Sequence, residues 1–148
     1  MLDIYTWCAG SLSSFARPFK ENEVLYNQAR TFWRNLEGCS VVLIILSVLV
    51  SILLAWFYYI PFNNQPGRHY KPSCWLGFLI TTGVAIFCLS LGVECLVATP
   101  KLDGAFLVEL KIAILNGVYS LFIFVVLSFI ICKCCTTNAY PFYKIFSK

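Results

Sequence analysis

The sequence predicts an all-α integral membrane protein in which three transmembrane helices form an up-down-up bundle, preceded by an amphipathic helix at the membrane interface. Composition supports this class, because 59% of the 148 residues are hydrophobic, only 12% are charged and the mean hydropathy is +0.77. Soluble domains carry about 25% charged residues. Three apolar stretches also have the length of roughly 20 residues that a spanning helix requires.

The charge balance indicates a membrane environment and no nucleic-acid partner. The chain has 11 Lys+Arg against 7 Asp+Glu, a formal net charge of +4. These charges are scattered through the flanks and loops, which suits anionic lipid headgroups and does not form the basic patch of a nucleic-acid-binding protein. We therefore expect the partners to be the lipid bilayer and other membrane protein chains or copies of this one.

The N-terminal segment, residues 1–38, is predicted to hold one amphipathic helix over about 21–37. The first 20 residues are expected to be loosely ordered, although Tyr5 and Trp7 are suited to touch a membrane or a partner. In the helix, apolar residues share one face and two arginines lie opposite, as in helices that lie along a membrane surface. The alternative is a soluble helix that packs against a partner. Gly38 is expected to be the joint to the first span, and the residues assigned to the interface are Leu25, Arg30, Phe32, Trp33 and Arg34.

The first predicted span covers residues 39–60 and contains no charged residue. Trp56, Tyr58 and Tyr59 at its end are typical of the aromatic belt at a membrane surface. Small residues share one face of this helix and are assigned to helix packing, with a polar pathway as the alternative: Ser47, Ser51 and Ala55.

The second predicted span, residues 74–98, carries a stripe of small residues at helical spacing. At about 100° per residue the stripe fits within roughly 80° of one face. Small residues let neighbouring helices approach closely in a bilayer, so this face is predicted to turn toward the bundle centre. The stripe consists of Gly77, Thr81, Ala85, Cys88, Gly92 and Cys95.

The third predicted span covers residues 106–132, and the short link before it makes the second and third spans antiparallel neighbours. Glu109, Ala113, Asn116 and Ser120 fall within about 60° of one face. An amide inside a bilayer usually forms a hydrogen bond to another helix, so Ala113, Asn116 and Ser120 are assigned to helix packing. The alternative places Glu109, Asn116 and Ser120 along a polar pathway.

The two ends of the chain are expected to lie on opposite sides of the membrane. Residues 133–148 form a basic, aromatic tail suited to lie along headgroups. The basic residues that flank the first span favour a cytosolic N-terminus slightly, because Lys20, Arg30 and Arg34 exceed Arg68 and Lys71.

The sequence contains no pattern that predicts catalysis. It has one histidine and two aspartates, with no nucleophile elbow, phosphate loop or dinucleotide fingerprint. We expect no catalytic residue, metal or cofactor. The leading hypothesis is a non-catalytic integral membrane subunit that scaffolds, anchors or regulates a larger membrane complex. The alternative is a homo-oligomeric channel-like or membrane-perturbing protein, such as a defence effector or toxin-immunity protein, and a third is a small membrane enzyme.

Overall fold

The computed structural model describes residues 3–62 and 71–134, and all regular structure within these ranges is helical. Three of the helices are long and apolar enough to cross a membrane. The elements are α1 (Asp3–Ala9), α2 (Leu12–Phe15), a 3-10 turn (Arg17–Phe19), α3 (Glu23–Phe57) with a π-helical turn (Tyr58–Phe62), α4 (Pro72–Val97) and α5 (Ala105–Cys134). The helical class and the number of candidate spans agree with the sequence prediction. Most of the predicted tail, 135–148, lies outside the described residues.

Helix α3 runs without a break from Glu23 to Phe57, so the expected joint at Gly38 is absent. Gly38 is an ordinary helical residue, and nothing lies within 4 Å of the position a Cβ would take. One glycine costs a helix only about 1 kcal/mol relative to alanine. The hydrogen bonding and packing of the turns on either side outweigh this cost, and the predicted interfacial helix is therefore the first part of α3.

The end of α3 widens into a π-helical turn at the position of a proline. Pro61 has no N–H, and its ring would collide with the carbonyl of the preceding helical turn. A π-helical turn changes the local hydrogen-bond pattern and accommodates the ring. This turn buries Tyr58 and Tyr59, which are 0% and 2% exposed. Neither ring therefore faces outward as the predicted belt requires, whereas Trp56 is half-exposed; the position of the three rings at a membrane surface stays a prediction.

The described residues divide into two compact units, of which the first includes residues up to Ile45 and Phe87–Asn116. Its core contains Phe32, Trp33 and Leu36 of α3, all at most 2% exposed, and Phe15 packs its ring 5.2 Å from the ring of Phe32. Phe32 and Trp33 were predicted to lie in lipid at the interface, and the structure corrects this. Their apolar face packs instead against the N-terminal residues, which supply the partner that the sequence pattern alone did not identify.

The second unit includes Leu46–Ile86 and the residues from Gly117 onward. Its core is aromatic and contains Trp75, Phe124 and the two tyrosines of the π-helical turn. Helices α4 and α5 approach closely at Gly83. A Cβ built there would lie 2.7 Å from Leu121 Cδ2 and 3.7 Å from the Gly117 carbonyl oxygen. Gly83 lies outside the predicted stripe of small residues, which we call the α4 stripe, and is thus the glycine of α4 that permits close packing.

The α4 stripe turns outward, contrary to the prediction. Gly77, Thr81, Cys88 and Gly92 are exposed, and Ala85 and Cys95 are half-buried. The buried face of α4 carries Trp75, Thr82, Ile86, Ser90 and Glu94. This face holds a serine, a threonine and a carboxylate, which need hydrogen-bond partners inside the protein. Ser90 accepts a hydrogen bond from Asn116 of α5, a contact that requires this face to turn inward.

Candidate functional site

A chain of buried hydrogen bonds joins α1, α5 and α4. Tyr5 Oη donates to Asn116 Oδ1 at 2.6 Å, and Asn116 Nδ2 donates to Ser90 Oγ at 2.6 Å. Ser90 Oγ donates in turn to Glu94 Oε1 at 2.9 Å. All four side chains are at most 2% exposed. We call these four residues the polar cluster, and Asn116 stands at its centre because it bonds to two other helices.

The carboxylate of Glu94 is the least satisfied member of the polar cluster. Its side chain is fully buried, and within residues 3–62 and 71–134 its Oε2 atom has no hydrogen-bond partner. The hydrogen bond from Ser90 goes to the other oxygen, Oε1. A buried carboxylate is costly in an apolar surrounding, and the hydrogen bond from Ser90, one turn earlier on the same helix, offsets part of this cost.

A second buried carboxylate, Glu109, lies near the start of α5 and pairs with Lys101 of the preceding turn. Glu109 is 1% exposed, whereas the Lys101 side chain is 44% exposed and reaches in from the surface. The Cys95 thiol also lies 3.5 Å from Glu109 Oε2. This ion pair compensates a charge that α5 would otherwise bury alone.

Helix α1 lies against α5 and completes the polar cluster. Besides the Tyr5–Asn116 hydrogen bond, the Cys8 thiol lies 3.9 Å from the Lys111 carbonyl oxygen. Gly10 ends α1 with φ +87°, a conformation that favours glycine, and its N–H bonds to the Thr6 carbonyl. This sharp end turns the chain toward α2. Residues that were expected to be loosely ordered therefore fill the core of the first unit.

The other residues assigned to packing are buried, and several bond within their own helix. Ser47, Ala55, Ala113 and Ser120 are each at most 4% exposed. Ser51 Oγ donates to the Ser47 carbonyl at 2.7 Å. Ser120 Oγ donates to the carbonyl of Gly117 at 2.7 Å. These hydroxyls are satisfied by backbone acceptors of their own helices, as is common for serine in apolar helices.

A polar groove lies outside this core, along α3. It has a volume of about 370 Å³ and is lined by Leu12, Asn27, Arg30, Thr31, Trp33, Arg34 and Glu37. Arg30 and Arg34, predicted to meet lipid headgroups, are exposed here, and Leu25 near the start of the helix is half-buried. We call this feature the α3 groove.

Sequence reasoning located Asn116 and Glu109 but missed the residues that bind them. The residues that were not predicted are Tyr5 and Ser90, which bond to Asn116, and Lys101, which pairs with Glu109. Ser90 and Glu94 are four residues apart and so share a helix face with Ile86 and Thr82. That polar face indicates, from the sequence alone, which side of α4 is buried. The contact between Tyr5 and Asn116 spans 111 positions of the chain, and no local pattern predicts it.

In the described part of the chain, no three His, Cys, Asp or Glu side chains lie close enough together to hold a metal ion. Comparison of the sequence and structure with known protein families, with characterised proteins and with solved structures finds no match.

Proposed function

We propose that this chain is a multi-pass integral membrane protein and acts as a non-catalytic subunit of a larger membrane assembly. In this proposal α3, α4 and α5 cross the bilayer in up-down-up order, with the N-terminus in the cytosol. The single observation that carries the proposal is the orientation of α4. Ser90 and Glu94 face the protein, and Gly77, Cys88 and Gly92 face outward, where another helix can approach.

The outer surface of the long helices supports residence in lipid. Large apolar side chains are exposed along each of them, including Leu53 at 61%, Ile80 at 55% and Phe122 at 68%. Soluble monomers rarely expose contiguous apolar surfaces of such extent. In a bilayer the same side chains would contact acyl chains, so their exposure would carry no hydrophobic penalty.

Outward small residues support association with another chain. A Cβ built at Gly77 or at Gly92 would meet nothing within 4 Å. Lipid tails are as apolar as leucine, so helices associate in a membrane through close packing and hydrogen bonds, for which small residues are enriched. A partner chain or a second copy that packs along the α4 stripe would therefore gain close backbone contact.

The alternative, a channel-like or membrane-perturbing oligomer, requires polar residues along a path. Of the three pathway residues, Glu109 pairs with Lys101, Asn116 bonds to Tyr5 and Ser90, and Ser120 bonds to its own helix. Each has a partner within the chain, which favours a structural role. Ion flux through liposomes that disappears in Asn116→Leu or Glu109→Gln, with the fold retained, would reverse this preference.

Membrane residence is tested first, by alkaline carbonate extraction of membranes that contain the full chain. We expect the protein to stay in the membrane pellet, because peripheral proteins are released by this treatment and spanning proteins are not. Release into the aqueous fraction as a folded species would overturn the proposal. A protease-accessible tag at the N-terminus reports which side it occupies.

Association is tested by purification in a mild detergent, followed by measurement of the mass of the particle. We expect a mass above that of one chain, and we expect Gly77→Leu and Gly92→Leu to lower it. Gly38→Leu is the matched control, because Gly38 is also helical and also has nothing within 4 Å of its Cβ position. A single chain with no co-purifying protein, or equal effects of all three variants, would contradict the subunit role.

A further inference from the structure

The α3 groove is a polar feature that the packing of the helices does not use. Its volume of about 370 Å³ is near the lower end of the roughly 300 to 1,000 Å³ of ligand pockets. It therefore suits a compact polar group. Its lining comes mainly from one helix, with Leu12 of α2 as the contribution from the N-terminal residues.

Two arginines dominate the charge of the groove. Arg30 and Arg34 are four positions apart, so their side chains leave the same face of α3 as neighbours. No salt bridge to either arginine is present among residues 3–62 and 71–134. The Thr31 hydroxyl is engaged, because it donates to the Asn27 carbonyl at 3.0 Å. The guanidinium groups are thus the free donors.

One carboxylate also lines the groove, and its position is fixed. Glu37 Oε1 accepts a hydrogen bond from the Trp33 indole N–H at 3.1 Å. With Arg30 and Arg34 the charged groups sum to one net positive charge, since two cations face one anion. A ligand with a single negative charge is therefore the complement of the groove.

The planar guanidinium fork binds phosphate through two parallel hydrogen bonds, which makes arginine the common residue at phosphate sites. We propose that the α3 groove binds the phosphate of an anionic phospholipid headgroup, such as phosphatidylglycerol. This inference rests on the membrane residence proposed above. It adds a defined lipid site to a face that the sequence indicated only as generally basic.

The position of the groove along α3 favours a lipid over a free phosphate. Arg34 precedes Cys39, the first residue of the predicted first span, by five positions, or about 7.5 Å along a helix. The headgroup layer on each side of a bilayer is about 5 to 8 Å deep. Arg34 then lies at the outer edge of this layer, and Arg30, one helical turn farther out, must extend its side chain back toward the bilayer to share the same phosphate.

The test is retention of lipid by the full chain in a neutral detergent, with phosphatidylglycerol and phosphatidylcholine supplied in equal amounts and the bound lipid measured by mass spectrometry. The test variant is Arg30→Gln with Arg34→Gln. The matched control is Arg17→Gln with Lys20→Gln, which removes the same charge from exposed residues that do not line the groove. Circular dichroism confirms that each variant keeps its helices.

We expect the chain to prefer phosphatidylglycerol and the groove variant to bind it about 25-fold more weakly, since each basic residue near an anionic headgroup contributes roughly fivefold. The control variant should bind within about twofold of the unmodified chain. Equal losses in both variants would show a general charge effect and overturn the site. Absence of any lipid preference would also overturn it, and displacement by millimolar glycerol phosphate would assign the groove to a soluble phosphate.

Failure of this inference and failure of the proposed function give different results. A monomeric particle that retains phosphatidylglycerol through Arg30 and Arg34 would remove the subunit role and keep the lipid site. An assembled particle with no bound lipid would keep the subunit role and remove the lipid site.

Discussion

Asn116 joins three helices, and its replacement by leucine tests whether the polar cluster holds them together. The variant loses one hydrogen bond to Tyr5 and one to Ser90, each of 2.6 Å. Interhelical hydrogen bonds in membranes contribute about 0.6 to 2 kcal/mol each, so Asn116→Leu should lower the free energy of unfolding by about 1 to 4 kcal/mol. The measurement is unfolding in mixed micelles by titration with sodium dodecyl sulfate, followed by circular dichroism.

The matched control is Ser120→Ala, one helical turn away on α5. Ser120 is also fully buried, but its hydroxyl bonds only to a carbonyl of its own helix. Hydrogen bonds of this kind add little to helix stability, so the control should change the unfolding free energy by less than about 0.5 kcal/mol. Equal effects of the two substitutions would refute the special role of Asn116.

A double-mutant cycle isolates the contact between α1 and α5. Tyr5→Phe removes only the hydroxyl that donates to Asn116. Residues in one hydrogen-bond network show coupling energies of about 0.5 to 3 kcal/mol, and we expect a value in the lower half of this range for Tyr5→Phe with Asn116→Leu. Strictly additive effects would mean that the contact does not stabilise α1. Faster hydrogen exchange in residues 3–9 of either single variant would show that α1 detaches first.

Two further predictions concern packing and charge. Gly83→Leu should destabilise the chain by about 1 to 3 kcal/mol, because the added side chain would collide with Leu121. Gly38→Leu is the control and should be neutral or stabilising. The same unfolding titration measures both variants, and equal effects would contradict the close approach of α4 and α5 at Gly83. Lys101→Gln should destabilise more than Glu109→Gln, because the first leaves a buried carboxylate without its cation and the second removes the buried charge. A larger loss for Glu109→Gln in that titration would show that the ion pair is not the dominant interaction there.

The number of long helices was predictable from the sequence, and so were the limits of the second and third to within about two residues. The predicted spans 74–98 and 106–132 compare with Pro72–Val97 and Ala105–Cys134 in the structure. Length and apolarity determine these limits locally, since charged and helix-breaking residues surround each apolar stretch. The continuity of α3 through Gly38 was not predictable in the same way, because a single glycine neither requires nor forbids a break.

The role of the N-terminal residues depends on distant contacts. Phe15 lies beside Phe32 and Trp33, with ring centroids 5.2 and 5.8 Å apart. From the sequence, an amphipathic face on α3 is equally compatible with lipid, with a partner and with another part of the chain. The sequence pattern identifies the apolar face but carries no signal for what covers it, so the assignment of Phe32 and Trp33 to the membrane interface failed.

The orientation of α4 shows which residues decide how a helix faces its neighbours in an apolar surrounding. A hydrogen bond between helices contributes about 0.6 to 2 kcal/mol, and a buried carboxylate without a partner is costly in an apolar surrounding. Ser90 turns inward, where it accepts a hydrogen bond from Asn116 of α5, and it bonds in turn to the buried carboxylate of Glu94 on its own helix. Because this face of α4 turns inward, the small residues on the other face are left on the outside. A helix that leaves such a face free can pack closely against another helix at little cost, which is why we propose association through the α4 stripe.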